Sequence, residues 1–255
     1  MGLTIHYYLK ARGNDAAARK LITALHQAAQ DLPFQELGDI IDLSGDACDF
    51  QARELGDPLR WLLCQAEGSV ELTANRSMRV KPTRVICFTA WPGEGCEESN
   101  IGLCRYPRSI SHAEFGIVKT RLSGWRWRSF CKTQYASNPD CGGVPHFLRC
   151  HLAVTALLDQ AQKLGVLDEV HDEGHFWETR DVPALVNEIG SWNEMIAAFG
   201  GKLKDLLGDS GLAWQSAISD FPNFEHPEAA GQTKLPPGTE ALARLIQRVA
   251  HEKPA

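Results

Sequence analysis

WRWRSFCKTQY (Trp125–Tyr135), ASNPDCGGVPHFLRCHLAVTALLDQAQKLG (Ala136–Gly165) and VLDEVHDEGHFWETRD (Val166–Asp181) together decide how this chain folds. Successive side chains of a strand point to opposite faces. Trp125, Trp127, Ser129, Cys131, Thr133 and Tyr135 therefore share one face, able to pack on a core. Arg126, Arg128, Phe130, Lys132 and Gln134 share the other, which reads as a solvated outer face or as an anion-binding face. Asn138-Pro139 opens a turn, and Gly142-Gly143 permits backbone conformations closed to other residues. Pro145 suits a first helical turn. Phe147, Cys150, His151, Val154, Leu157, Leu158, Ala161 and Leu164 then recur at helical spacing, and Gly165 stops the helix. A second strand from Val166 ends in the turn Asp172-Glu173-Gly174. Beyond it Asp181 stands where a helix cap belongs, and Glu178 and Arg180 are placed to pair.

The N-terminal part repeats the strand–helix–strand order. Leu3 to Leu9 alternates as a strand. Asn14-Asp15 caps a helix to about Gln30, with Ala18, Leu21, Ile22, Leu25 and Ala28 on one face. A strand over about 34–43 completes a βαβ or split βαβ unit. Asp57-Pro58 starts a short helical piece through Trp61, 70–72 and 78–80 suggest a hairpin, and TRVICFTA (Thr83–Ala90) is a strand. The stretch 91–107 reads as a glycine-containing acidic loop, and 109–117 as a connection or short strand. A long amphipathic helix begins near Pro183, with Gly200-Gly201 a place for a kink.

The expected fold is α+β: a mostly antiparallel sheet with helices packed on it, ferredoxin-like in outline and conceivably duplicated. Residues 1–208 form the body, divisible into halves 1–108 and 109–208. Residues 209–255 read as an extended Pro/Gly-rich arm and a C-terminal docking helix through which the chain can oligomerise.

Apolar residues make up 44% of the 255, enough for a sizeable core, and the net charge of −6 argues against nucleic acid. The eight cysteines lack paired spacing and the N-terminus lacks an apolar signal core. These features suggest free thiols and a cytoplasmic protein with no membrane span.

No motif fixes a reaction. The expected site is a polar pocket built from loops 94–100, 132–146 and 172–178. Glu97, Glu98, His146 and Glu173 are its candidate acids and bases. Asn100, Arg128, Lys132, Gln134, Tyr135, Gly142 and Gly143 are candidates to bind substrate, the glycines through backbone N–H groups at a helix start. Cys96 is a candidate nucleophile if a cation lowers its pKa. A divalent metal ion is a conceivable cofactor, held by the glutamates or by Cys141, His146, Cys150 and His151, although the close pairs of a zinc site are missing. Such groups suit a hydrolase acting on a small anionic or amide substrate. The alternative is a non-catalytic module binding a small ligand or a partner protein. RNA binding on the sheet through Arg126, Arg128 and Phe130 ranks third.

Overall fold

The computed structural model of the chain describes residues 3–207. Eleven strands run in chain order: β1 (Thr4–Ala11), β2 (Glu36–Leu37), β3 (Ile41–Ser44), β4 (Gly68–Thr73), β5 (Arg76–Val80), β6 (Arg84–Trp91), β7 (Ser99–Arg105), β8 (Ser109–His112), β9 (Gly116–Lys119), β10 (Trp125–Lys132) and β11 (Leu167–Asp172). The helices are α1 (Asp15–Gln30), α2 (Pro58–Gln65), α3 (Gly143–Lys163), α4 (Phe176–Thr179) and α5 (Val182–Leu207). The main sheet has the order β11-β1-β10-β7-β6-β2, with β3 also on β6, and every pairing is antiparallel. β4–β5 and β8–β9 are separate hairpins.

The architecture is α+β, and local chemistry accounts for much of it. The Asn14 side chain accepts from Ala17 N and starts α1. Ala18, Ile22, Leu25 and Ala29 of that helix are buried. Each large aliphatic side chain so buried contributes about 1.5–3 kcal/mol of transfer free energy. α1 packs beside α3 and against β6 and β7. The Asp57 carboxylate caps α2, and Asp181 accepts from Ala184 N at the start of α5. α5 is one helix, Gly200 and Gly201 included.

β1 pairs with β10 in a register that sorts the two faces. Ile5, Tyr7 and Leu9 stand opposite Cys131, Ser129 and Trp127, all buried. His6, Tyr8 and Lys10 stand opposite Phe130, Arg128 and Arg126, all partly or fully open. The strand–helix–strand units interleave. β10 and β11 flank β1, whereas β1 and β3 are separated by β10, β7 and β6. Strands from before and after residue 108 thus share one sheet, β1 lying between β10 and β11.

Several expectations need correction. The strand anticipated over 34–43 is two short strands, both on β6. The end of β10 is Lys132; Gln134–Ser137 is a 3-10 turn. The acidic loop is shorter than read, because Ser99–Arg105 is β7, an interior strand buried at six of its seven positions. Arg180 pairs with Asp159 at 2.8 Å, not with Glu178. The anticipated arm and C-terminal helix at 209–255 lie outside the described residues. Among the described residues no helix is long and apolar enough to cross a membrane.

Candidate functional site

The segments singled out in the sequence meet at one end of the main sheet. The Glu97 N–H donates to Lys132 O at 2.9 Å, and its carboxylate accepts from Lys132 N at 3.3 Å. Gly95 lies so close to the chain at Tyr135 that a Cβ there would stand 2.5 Å from the Tyr135 carbonyl. His146 bonds to Glu94 O at 3.0 Å. Glu173 caps β1 by accepting from Thr4 N at 3.0 Å. Convergence does not leave these groups free. Glu97 and Glu173 are spent on backbone donors. Asn100 is 1% exposed, with its amide between Thr89 and Gln65 and its carbonyl accepting from Tyr7 and Trp127. Gln134 is equally buried, and its amide has no hydrogen-bond partner among the described residues. Glu98 is exposed on the loop. Lys132 lies 4.5 Å from the Tyr135 ring centroid and 3.2 Å from its hydroxyl. Gly142 and Gly143 take φ of 109° and 70° ahead of α3, a conformation that favours glycine.

A buried polar chain runs beside this end. Thr133 Oγ1 lies 2.9 Å from His151 Nδ1, and His151 Nε2 lies 3.1 Å from Asp172 Oδ2. Asp172 also accepts from the N–H groups of Gly174 (2.9 Å) and Trp177 (3.0 Å). A carboxylate can only accept, so His151 Nε2 carries a proton, and Nδ1 faces the threonine hydroxyl. Burial acts to raise the Asp172 carboxyl, but the His151 bond and charge and the two backbone donors outweigh it. The carboxyl therefore sits below the ordinary carboxylate range. All three side chains are buried, so they tie the residue after β10 to α3 and β11.

The metal candidates divide. His151 commits both nitrogens to Thr133 and Asp172. His146 lies 3.6 Å from the Cys150 sulfur, but its Nδ1 faces Arg149 at 3.2 Å and its Nε2 faces Glu94 O. Among the described residues no three His, Cys, Asp or Glu side chains gather to hold a metal ion.

A cavity lies elsewhere. About 800 Å³ opens against the less buried face of β1 and β10, walled by α2 and the β4–β5 hairpin. Tyr8, His6 and Phe130 supply rings from the sheet, and Trp61, 61% exposed, supplies one from α2. The register lines up His171, His6 and Phe130 across three strands, with ring centroids 6.1 and 5.8 Å apart. The Arg128 guanidinium lies 5.3 Å from the Tyr8 centroid. Lys10, Arg79, Arg126 and Arg128 face the space against two carboxylates, Glu67 and Asp168. Burial pushes the Glu67 carboxyl upward, and Asp168 already stands 3.9 Å from Lys10. Arg79, Arg126 and Arg128 make no ion pair within 4.0 Å among the described residues. Gln65 and Ser129 lie at the same cavity, 3.5 Å apart.

Of the candidates for the polar pocket Arg128 stands at this cavity, together with Arg126 and Phe130 of the RNA reading. His6, Tyr8, Trp61, Gln65 and Arg79 were not singled out as a group. A signal for part of it was present: alternation places His6, Tyr8 and Lys10 together just as it places Arg126, Arg128 and Phe130. What joins the two triplets is strand pairing across more than a hundred residues. No family model, curated protein or solved structure matches this chain.

Proposed function

We propose that the protein is a binding module for a small anionic ligand carrying a flat ring, of the nucleotide class, held in the cavity against β1 and β10. One observation carries the reading: Arg126 and Arg128, which make no ion pair within 4.0 Å among the described residues, share one cavity with the rings of Tyr8, Phe130 and Trp61, in a chain whose net charge is −6. A ring can stack on Tyr8, Phe130 or Trp61, while Arg126 and Arg128 meet a phosphate or carboxylate through charge-assisted hydrogen bonds. Gln65 and Ser129 supply neutral polar groups to orient the ligand. The volume is in the range of about 300–1,000 Å³ usual for small-molecule sites. The walls formed by α2 and the hairpin favour a compact ligand over a nucleic-acid strand, and so does the overall charge.

The hydrolytic reading of loops 94–100, 132–146 and 172–178 has less behind it. Those segments meet, but Asn100 and Gln134 are buried and the carboxylates of Glu97 and Glu173 hold backbone N–H groups.

Calorimetric titration with a nucleoside diphosphate, its nucleoside and inorganic phosphate tests the proposal. The diphosphate binds and the two fragments bind far more weakly. Arg128→Ala weakens binding about tenfold or more, roughly 1.4 kcal/mol, with the melting temperature little changed. Tyr8→Ala weakens nucleotide and nucleoside alike. No saturable binding, or binding indifferent to Arg128, sinks the idea. Tighter binding of a single-stranded RNA oligomer than of any mononucleotide would replace it with the RNA reading.

A further inference from the structure

At the end of the sheet away from that cavity, two thiols meet across a loop and a helix. All eight cysteines are free. Cys96, in the loop between β6 and β7, packs half-buried against the cluster around Cys150 of α3. The two thiols are near enough for each to shift the acidity of the other. The Cys150 sulfur lies 3.3 Å from Pro92 O, 3.6 Å from His146 Nε2 and 3.8 Å from Arg149 Nη2.

The hydrogen-bond directions distinguish the two cysteines. Arg149 can only donate, so its 3.2 Å contact makes His146 Nδ1 an acceptor. The ring proton is then on Nε2, which also faces Glu94 O. A thiolate at Cys150 accordingly faces two donors, the His146 Nε2–H and the Arg149 guanidinium, while the protonated thiol donates to Pro92 O. Arg149 has no carboxylate partner within 4.0 Å among the described residues; its other hydrogen bonds go to the Pro33 and Pro92 carbonyls. The neighbouring Cys96 thiol and the Arg149 charge hold the Cys150 thiol below its ordinary range, against burial, while Cys150 and burial push Cys96 upward. Cys96 is thus the proton holder of the pair. The expectation that Cys96 is the cation-activated nucleophile is reversed in favour of Cys150. The thiolate is the reacting form of cysteine.

We propose that Cys96 and Cys150 form a peroxide-responsive dithiol, with Cys150 oxidised first and Cys96 closing the disulfide. In the first step the Cys150 thiolate attacks one oxygen of hydrogen peroxide. The S–O bond forms, the O–O bond breaks, and hydroxide leaves to take a proton from solvent, giving a sulfenic acid and water. In the second step the Cys96 sulfur attacks the Cys150 sulfur and displaces a second hydroxide. The Cys96 proton converts that hydroxide to water. Two thiols and one peroxide give one disulfide and two waters. Cys150 has no exposed surface, so the site selects a small oxidant over a bulky disulfide, which would have to begin at Cys96.

The test treats the reduced full-length protein with substoichiometric hydrogen peroxide, alkylates it and maps the products without reduction. The Cys96–Cys150 crosslink is expected as the main oxidation product. In Cys96→Ser the crosslink is lost, and a dimedone label for sulfenic acid appears on Cys150. His146→Ala slows crosslinking without changing alkylation of the partly exposed Cys64. Oxidation spread over Cys64 and Cys141 without the crosslink overturns the proposal. So does a crosslink from Cys150 to Cys131 or Cys141, or a sulfenic label on Cys96. If Cys150→Ser does not fold, the wild-type and Cys96→Ser measurements still decide.

Discussion

At the scale of single residues, the same side-chain types serve opposite ends depending on who satisfies them. His151 and His146 are five positions apart on α3. One is locked between Thr133 and Asp172 in the core; the other is half-buried beside a thiol. Spacing alone made both of them metal candidates, because helical periodicity reports which face a residue is on and not which partner awaits it. Asp172 gives a measurable consequence. Its carboxyl is depressed in the folded state, so it adds stability that is present above the unfolded carboxyl pKa of about 3.9 and is lost as pH falls through the folded value. Asp172→Asn is expected to cost about 3 kcal/mol at pH 7, because it leaves the His151 and backbone donors mismatched in the core. Urea unfolding across a pH series should show the deficit shrinking toward acid. A deficit independent of pH would mean that the charge contributes nothing.

At the scale of elements, local signals and long-range packing part company. α1 was legible to its cap because Asn14, Asp15 and the apolar stripe lie within one stretch of chain. β10 was legible because its alternation is strict and its buried face is rich in tryptophan. β7 was not, and Gly102 is the reason. Glycine is a poor strand former in isolation. Here a Cβ would stand 2.6 Å from Cys87 Cβ and 2.8 Å from the Trp127 ring, so only glycine lets β6 and β10 close on this strand. Gly102→Ala should therefore destabilise by about 1–3 kcal/mol, as overpacked cores do, despite its better intrinsic propensity. Thermal melting checks this, and an unchanged or raised midpoint would show that the neighbours give way freely. Glu97 and Glu173 teach the same lesson at the ends of strands. Each looked like a free acid, and each is occupied by the backbone of an element distant in sequence.

At the scale of the whole molecule, the reduced state is one in which all eight cysteines are unpaired, so thiol titration in denaturant without reductant should return eight. A value of six in protein kept from reductant, with Cys96 and Cys150 missing, would be the signature of the proposed dithiol. The sequence by itself determined the class of fold, the cap and stripe of α1, the stripe of α3, and the two-faced character of β10. It did so because these follow from the 3.6- and 2-residue periods and from side chains bonding to backbone a few residues away. Only the tertiary structure decided that β11 and β10 flank β1, that β7 lies inside the sheet, and that His6 and Tyr8 join Phe130 and Arg128 beneath Trp61. Those outcomes depend on pairing between strands more than a hundred residues apart, and on space left by a glycine. No local pattern carries that information, since the free energy that selects it is realised only when the partners are already in contact.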